Sequence, residues 1–148
     1  MAENEVEDIN NFGQVYDAVD IALDEGMKAL HFLIMRQLTS NWKAGQDAMG
    51  RPWKPLAPAT VRAKGSSQIL IDSGDLLANV QEESRYEAGE RASIITTTSE
   101  YGAVHEFGMP ERGIPKRSFL QPAAEYGNEL LPEPITDRLD TELARARI

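Results

Sequence analysis

The clearest pattern in the sequence is a long apolar stripe near the N-terminus. Apolar side chains recur every three or four residues from Phe12 to Leu38, which is the spacing of one face of an α-helix. The pattern predicts one amphipathic helix of about 27 residues, roughly 40 Å long. Such a helix would be the main scaffold of a small domain and could reach a neighbouring molecule. Residues 1–10 are acidic and poor in apolar side chains, which predicts a mobile N-terminus, although the same charges favour a helix start.

The next segment, residues 40–57, contains two glycines, two prolines and two tryptophans and is predicted to be a loop. We expect Trp42 to cap the core beneath this loop. Trp53 suits the core and an intersubunit contact equally well, because aromatic residues are enriched at interface cores.

Short elements are predicted beyond this loop. Pro58 can open a helix through Lys64, and Asp72 or Ser73 can cap a brief helix that ends at Leu77.

Two strand-like runs, residues 80–86 and 92–98, predict an antiparallel hairpin that turns at Ala88 and Gly89, and the second run is rich in β-branched residues. Residues 117–121 could add a third strand. Pro122 then starts a helix that is interrupted at two prolines, and residues 132–148 contain a final helix from about 135 to 146. The fold class is therefore α+β, a single domain in which a long helix packs on a small antiparallel sheet.

Composition narrows the possible functions. The 148 residues are 41% hydrophobic and 26% charged, which is typical of one soluble globular domain. No apolar run approaches the roughly 20 residues that span a bilayer, and the first residues lack the features of a secretory signal. We therefore expect no membrane partner and a cytoplasmic setting during assembly. Without cysteine, disulfides and thiolate chemistry are excluded.

The charge balance argues against tight binding to nucleic acid. The net charge is −9, with 24 acidic and 15 basic residues, and such a surface repels phosphate. The chain is also poor in lysine. A low lysine content occurs in ordinary acidic proteins and in proteins of high-salt hosts such as halophilic archaea.

Enzymatic chemistry finds little support in the motifs. His105 and Glu106 resemble the first half of a zinc-protease helix motif, but Met109 stands where the second histidine is needed. The other histidine, His31, lies in the predicted long helix. We expect His105 to fix a local turn by a hydrogen bond and His31 to lie on the helix flank. There is no G-x-S-x-G elbow and no phosphate-binding loop, so we predict no catalytic, metal or cofactor-binding residues.

The stretch from 101 to 120 is better read as a shaped surface. Tyr101, Val104 and Phe107 recur at helical spacing and predict a short helix that packs them inward, ended by Gly108 in a left-handed conformation. Residues 109–115 then form an exposed excursion held by two prolines and a glycine, and such loops often carry function.

Beyond that loop, Lys116 and Arg117 offer cations to an acidic neighbour. Phe119 and Leu120 anchor the chain in the core.

Four segments then occur in a specific order: GRPWKPLAPATVRAK at 50–64, ILIDSGDLLANV at 69–80, YGAVHEFG at 101–108 and IPKRSFLQP at 114–122. Each is weak alone. In this order, after a long N-terminal helix, they resemble the virion-morphogenesis or tail-completion (head–tail joining) proteins of tailed viruses. The resemblance covers most of residues 10–125.

The resemblance implies a structural virion subunit at the head–tail junction. Copies would form a ring, sixfold by analogy with tail symmetry, next to other neck, portal-adaptor or tail proteins, and DNA would pass without specific binding. It implies no catalytic residue and no cofactor. The candidate interface and structural residues are Trp53, Leu70, Gly74, Leu76, Tyr101, His105, Gly108, Pro115, Lys116, Arg117 and Phe119, with 109–117 as the expected contact segment.

Three alternatives stay open. A tail terminator or neck adaptor would share the small α+β fold and ring assembly. A small metal-dependent hydrolase would use His31, His105 and carboxylates. A binding module would act as a monomer.

Overall fold

The apolar stripe near the N-terminus forms one helix, α1, from Ala2 to Lys43. The computed structural model describes residues 2–71 and 74–146, with side chains from residue 12 onward. Residues 2–10, predicted as a mobile segment, therefore belong to the first turns of α1. Acidic residues are favourable at a helix N-terminus and a lysine at its C-terminus, which accounts for a helix longer than the apolar pattern alone predicts.

Short elements follow α1, and together they confirm the α+β class. They are α2 (Pro58–Lys64), α3 (Asp75–Glu83), β1 (Arg85–Glu87), β2 (Ala92–Ile94), α4 (Glu100–Phe107), a 3-10 turn (Pro110–Arg112), α5 (Leu120–Leu130) and α6 (Glu133–Arg145). No helix in these described ranges is long and apolar enough to cross a membrane.

The predicted hairpin is confirmed, but it is shorter than expected. β1 and β2 pair antiparallel with Tyr86 opposite Ser93. Residues 80–83 belong to α3 instead of a strand, because Leu77 and Val80 lie one turn apart and both face the core. The predicted capping residues Asp72 and Ser73 lie outside the described residues.

The predicted third strand at 117–121 is wrong. In the described ranges the sheet has two strands, and α5 begins at Leu120. The backbone N–H groups of Phe119, Leu120 and Gln121 all donate to the carboxylate of Glu106, so they are not free to pair with a strand.

The hairpin is attached to α1 by polar contacts. The Tyr86 hydroxyl donates to Asp24, both at Oδ1 (2.5 Å) and at the backbone carbonyl (3.0 Å). Arg91 forms an ion pair with Asp20. These contacts hold the hairpin beside the middle of α1.

Helix α6 packs along α1 through small residues. A Cβ atom on Gly26 would lie 2.7 Å from the Cα of Ile135, so the two backbones are close at this point. Ala22 and Ala18 are buried about one and two turns earlier on the same face of α1. The predicted C-terminal helix is therefore a second layer against the scaffold helix.

An aromatic cluster forms the centre of the core. Trp42 meets the ring of Trp53 edge-on at 5.4 Å and the ring of Phe119 at 4.9 Å. Each indole N–H donates to a backbone carbonyl, Trp42 to Leu70 (3.2 Å) and Trp53 to Ser118 (2.9 Å). Both tryptophans are thus in the core, and the motif residue Phe119 is fully buried.

The loop between α1 and α2 is held by one buried carboxylate. Asp47 Oδ1 accepts hydrogen bonds from the N–H groups of Met49 (2.9 Å) and Arg51 (3.0 Å), and Oδ2 pairs with the Arg51 guanidinium at 3.0 Å. The N–H of Trp53 donates to Gly45 O at 3.0 Å. These bonds fix the loop that delivers Trp53 to the core.

Two phenylalanines provide a matched test of this core. We expect Phe119→Ala to lower the free energy of unfolding by about 3–5 kcal/mol, because it empties a fully buried site. Phe107→Ala, at a position that is 75% exposed, should change it by less than about 0.5 kcal/mol. Urea unfolding followed by tryptophan fluorescence measures both; equal losses would show that the core is not centred on Phe119.

Candidate partner-binding groove

A groove of about 920 Å³ lies between α2, α3 and α4. Its lining combines apolar residues such as Leu56 and Ile71 with polar residues of α3 and α4 such as Asn79 and His105. Six residues that the sequence analysis singled out line it: Leu70, Gly74, Leu76, Tyr101, His105 and Arg117. Segments that are far apart in the sequence therefore meet at one surface feature.

Helix α4 faces the opposite way from the prediction. Tyr101 and Phe107 are 72% and 75% exposed, whereas Gly102 and Glu106 are buried. A Cβ atom on Gly102 would lie 2.5 Å from Cγ2 of Thr97, so only glycine fits this contact without a shift. The aromatic residues that were expected to pack inward are instead available at the surface.

Glu106 is the polar anchor of this region, and the sequence analysis did not identify its role. Its carboxylate is buried and accepts four hydrogen bonds, from the Ser118 hydroxyl (2.5 Å) and from the N–H groups of Phe119 (2.7 Å), Leu120 (2.9 Å) and Gln121 (3.1 Å). These donors include the first free N–H groups of α5, which a carboxylate satisfies well. Glu106 thereby joins α4 to the start of α5.

The hydrogen bonds determine the charge state of Glu106. Burial alone would raise its pKa, but the donors from Leu120, Ser118, Phe119 and Gln121 outweigh burial and lower the pKa below its ordinary value. The carboxylate is therefore ionised at neutral pH and stabilises the fold in that form.

Gly108 ends α4 with a positive φ of 75°. Its ψ of 166° is extended, so it does not adopt the left-handed helical conformation that the sequence predicted. A Cβ atom here would lie 2.8 Å from the backbone nitrogen of Lys116. Both the dihedral angle and the close approach require glycine, which turns the chain back along itself.

The loop after Gly108 is a small closed turn. Met109 and Ile114 exchange two backbone hydrogen bonds of 2.8 and 3.1 Å, and residues 110–113 between them are exposed. The predicted exposed excursion is therefore confirmed at residues 110–113, whereas its ends at Met109 and Ile114 are partly buried. Lys116 is exposed after it and Pro115 is partly buried.

Arg117 was predicted to be a surface cation, and this is wrong. It is 6% exposed, and its guanidinium donates to the backbone carbonyls of Lys54 (2.8 Å) and Pro55 (3.3 Å). Its own N–H donates to His105 O at 2.8 Å. Arg117 therefore holds the loop before α2 against α4, and burial lowers its pKa.

His105 sits at the edge of the groove beside Arg117. Its Nδ1 atom is buried and has no hydrogen-bond partner in the described part of the chain, so the predicted side-chain hydrogen bond is not made there. Buried polar atoms are rarely left unpaired. Burial and, less strongly, the charge of Arg117 lower the pKa of His105, so its imidazole is neutral at pH 7.

His31, which was expected on the flank of the long helix, is buried. Its Nδ1 is 2.8 Å from the Ser93 hydroxyl, and burial lowers its pKa. His31 and His105 line different grooves. Within residues 2–71 and 74–146, no group of three or more His, Cys, Asp or Glu is placed to hold a metal ion.

Comparison with known proteins identifies the family. The model of the phage virion morphogenesis family matches residues 16–139, which is most of the chain. The chain belongs to the phage virion morphogenesis family. Membership assigns it a structural role in virion morphogenesis and associates it with the virion, and it confirms the resemblance drawn from the four ordered segments.

The chain is also similar to an uncharacterized protein of the archaeon Methanocaldococcus jannaschii. The two are 26% identical over 104 residues, which is 68% of this chain and 77% of the relative. No solved structure matches the chain significantly.

Glu106→Gln tests the anchor. The side-chain amide of glutamine places an NH₂ group, which cannot accept hydrogen bonds, against the N–H donors that Glu106 satisfies. We therefore expect the free energy of unfolding at pH 7 to fall by about 1.5–3 kcal/mol, the range for hydrogen bonds to a charged group. Because the folded pKa is lowered, the contribution of Glu106 is complete above its unfolded pKa and is lost as pH falls through the folded value.

The matched control is Glu129→Gln, an exposed position on α5. Chemical unfolding between pH 7 and pH 3 should show a flatter pH dependence for Glu106→Gln than for the control. If the free energy of unfolding depends on pH in the same way for the two variants, Glu106 contributes no more to the pH dependence than an exposed glutamate does.

The two histidines predict a separate pH effect. Both have folded pKa values below the ordinary value of 6.5, so the unfolded chain binds more protons as pH falls below 6.5 and stability decreases there. We expect unfolding at pH 5.5 to need less urea than at pH 7.5. Replacing both histidines with glutamine should remove most of this difference, and an unchanged difference would contradict the assignment.

Proposed function

We propose that this protein is a ring-forming subunit at the head–tail junction of a tailed virus. It would complete the tail or join it to the connector of the capsid, and DNA would pass through the ring. Family membership supports the virion role, and the distribution of exposed aromatic side chains supports the assembly into a ring.

The exposed aromatic residues are the observation that carries the proposal. Three of the four phenylalanines are more than 60% exposed in the single chain: Phe12 (73%), Phe32 (62%) and Phe107 (75%). Tyr16 and Tyr101 are 66% and 72% exposed. Large apolar side chains left in water at several places on one small domain favour contacts with other subunits.

The groove between α2, α3 and α4 supports contact with a partner segment. It is lined by apolar residues such as Leu56 and Ile71 and by the exposed ring of Tyr101. We therefore assign the groove to a segment of a neighbouring neck, portal-adaptor or tail protein. We also assign a partner contact to the exposed residues 110–113 and Lys116, whereas Arg117 lines the groove from a buried position.

The charge of the chain agrees with a passage for DNA. A net charge of −9 lets a ring surround DNA without holding its phosphates. The acid-rich, lysine-poor composition also agrees with assembly in a host that lives at high salt.

The mass of the purified protein in solution tests ring assembly. We expect light scattering to give a mass about six times that of one chain, and negative-stain electron microscopy to show rings. A monomer at every concentration and salt level, alone and with portal, neck and tail proteins of its virus, would rule out this function. Binding to the tail tube but not to the connector would favour a tail terminator.

The groove is tested by a change that leaves the fold intact. Tyr101→Ser removes an exposed ring beside the groove and should weaken binding to the partner protein in a pull-down with purified components. Phe107→Ser, on the same helix but outside the groove lining, is the matched control. Equal binding by the two variants would place the partner elsewhere.

A further inference from the structure

The charges along α1 are separated by sign. Residues 2–25 contain eight acidic residues and no lysine or arginine, whereas residues 26–43 contain three basic residues and no aspartate or glutamate. The basic residues Lys28, Arg36 and Lys43 are all exposed. One helix therefore carries an acidic half and a basic half, and each half is complementary to the other half of a second copy.

The acidic half also carries an uncovered apolar stripe. Phe12 and Tyr16 are 73% and 66% exposed, and Val19 is 37% exposed. Phe12 precedes the core residue Leu30 by 18 residues, which is five helical turns, so both lie on the same face of α1. The face that forms the core of the domain continues toward the N-terminus of α1, where these three side chains remain exposed. We call Phe12, Tyr16 and Val19 the projecting stripe.

The basic half carries a groove with an exposed aromatic residue. Phe32 is 62% exposed and lines a groove of about 870 Å³ with Met35, Arg36 and Lys43 of α1 and Gln81 of α3. We call this the α1–α3 groove. It combines apolar surface with two cations, which suits an apolar stripe on an acidic helix.

The two surfaces lie on nearly opposite sides of α1. Phe12 and Phe32 are 20 residues apart, which at about 100° per residue rotates the side chain by about 200°. A twofold dimer would use one patch on both partners, and that requires the stripe and the groove to lie on one face. Surfaces on opposite faces instead join head to tail, and repeated head-to-tail contacts build a ring when the rotation closes.

We propose that the projecting stripe of one copy packs into the α1–α3 groove of the next copy. The inference rests on the proposed ring and identifies the contact between adjacent subunits. Phe12 and Tyr16 would cover Phe32 and Met35, while the acidic half of one α1 lies near Arg36 and Lys43 of its neighbour. Both surfaces are exposed in the single chain, so the contact needs no rearrangement of the fold.

Cysteine cross-linking tests this contact cleanly, because the chain has no cysteine of its own. Tyr16→Cys and Phe32→Cys are made as separate variants with different tags, mixed, and treated with a short bis-maleimide. We expect a cross-linked pair that contains both tags and several-fold less product from either variant alone. Phe107→Cys, which is more exposed than Phe32 but belongs to neither surface, replaces Phe32→Cys in the control mixture.

The double variant Tyr16→Cys with Phe32→Cys separates a ring from a dimer. Head-to-tail contact predicts a ladder of covalent products longer than two chains. Cross-linking of Tyr16→Cys mainly to itself, a ladder that stops at two, or no excess over the Phe107→Cys control would overturn the proposed contact. If the wild-type protein still assembles in that case, the ring stands and only this contact is wrong. A wild-type protein that stays monomeric would overturn both.

Discussion

The buried carboxylate of Glu106 is the contact on which the surface of this protein depends. It accepts four hydrogen bonds and joins α4 to the first turn of α5. Because that carboxylate must face inward, the other side of α4 must face outward, and Tyr101 and Phe107 become exposed. The same bonds place Phe119 against the tryptophans of the core. One ionised group therefore fixes both a part of the interior and a part of the exterior.

The sequence predicted those features that local pattern controls. The spacing of apolar residues located α1, proline located the start of α2, and two strand-like runs separated by a turn located the hairpin. It failed where a polar group outcompetes an apolar one for the interior. Glu106 and Arg117 are buried because backbone donors and carbonyls from other segments satisfy them, and those partners are 13 or more residues away in the chain. Nothing in a local pattern identifies such partners.

The candidate groove was likewise predicted only in part from the sequence. The ordered segments indicated which residues matter, and six of them do line one groove. They act in different ways, however. Tyr101 is exposed at the groove, Arg117 supports it from the interior, and Gly108 shapes the turn beside it by its positive φ. Shared membership of a motif therefore gives no information on whether a side chain contacts a partner or holds the scaffold that presents one.

The separated charges of α1 also affect the helix before any subunit arrives. Acidic groups at the N-terminal end and Lys43 in the last turn both stabilise the helix, because each lies at the end of the macrodipole that has the opposite charge. They help the turns that extend beyond the domain to stay helical without tertiary cover. Joining subunits would then require little loss of conformational entropy, because the segment is already ordered. The rate at which subunits add to such an assembly would be set by diffusion and by the orientation of preformed helices, and not by folding of α1 during binding.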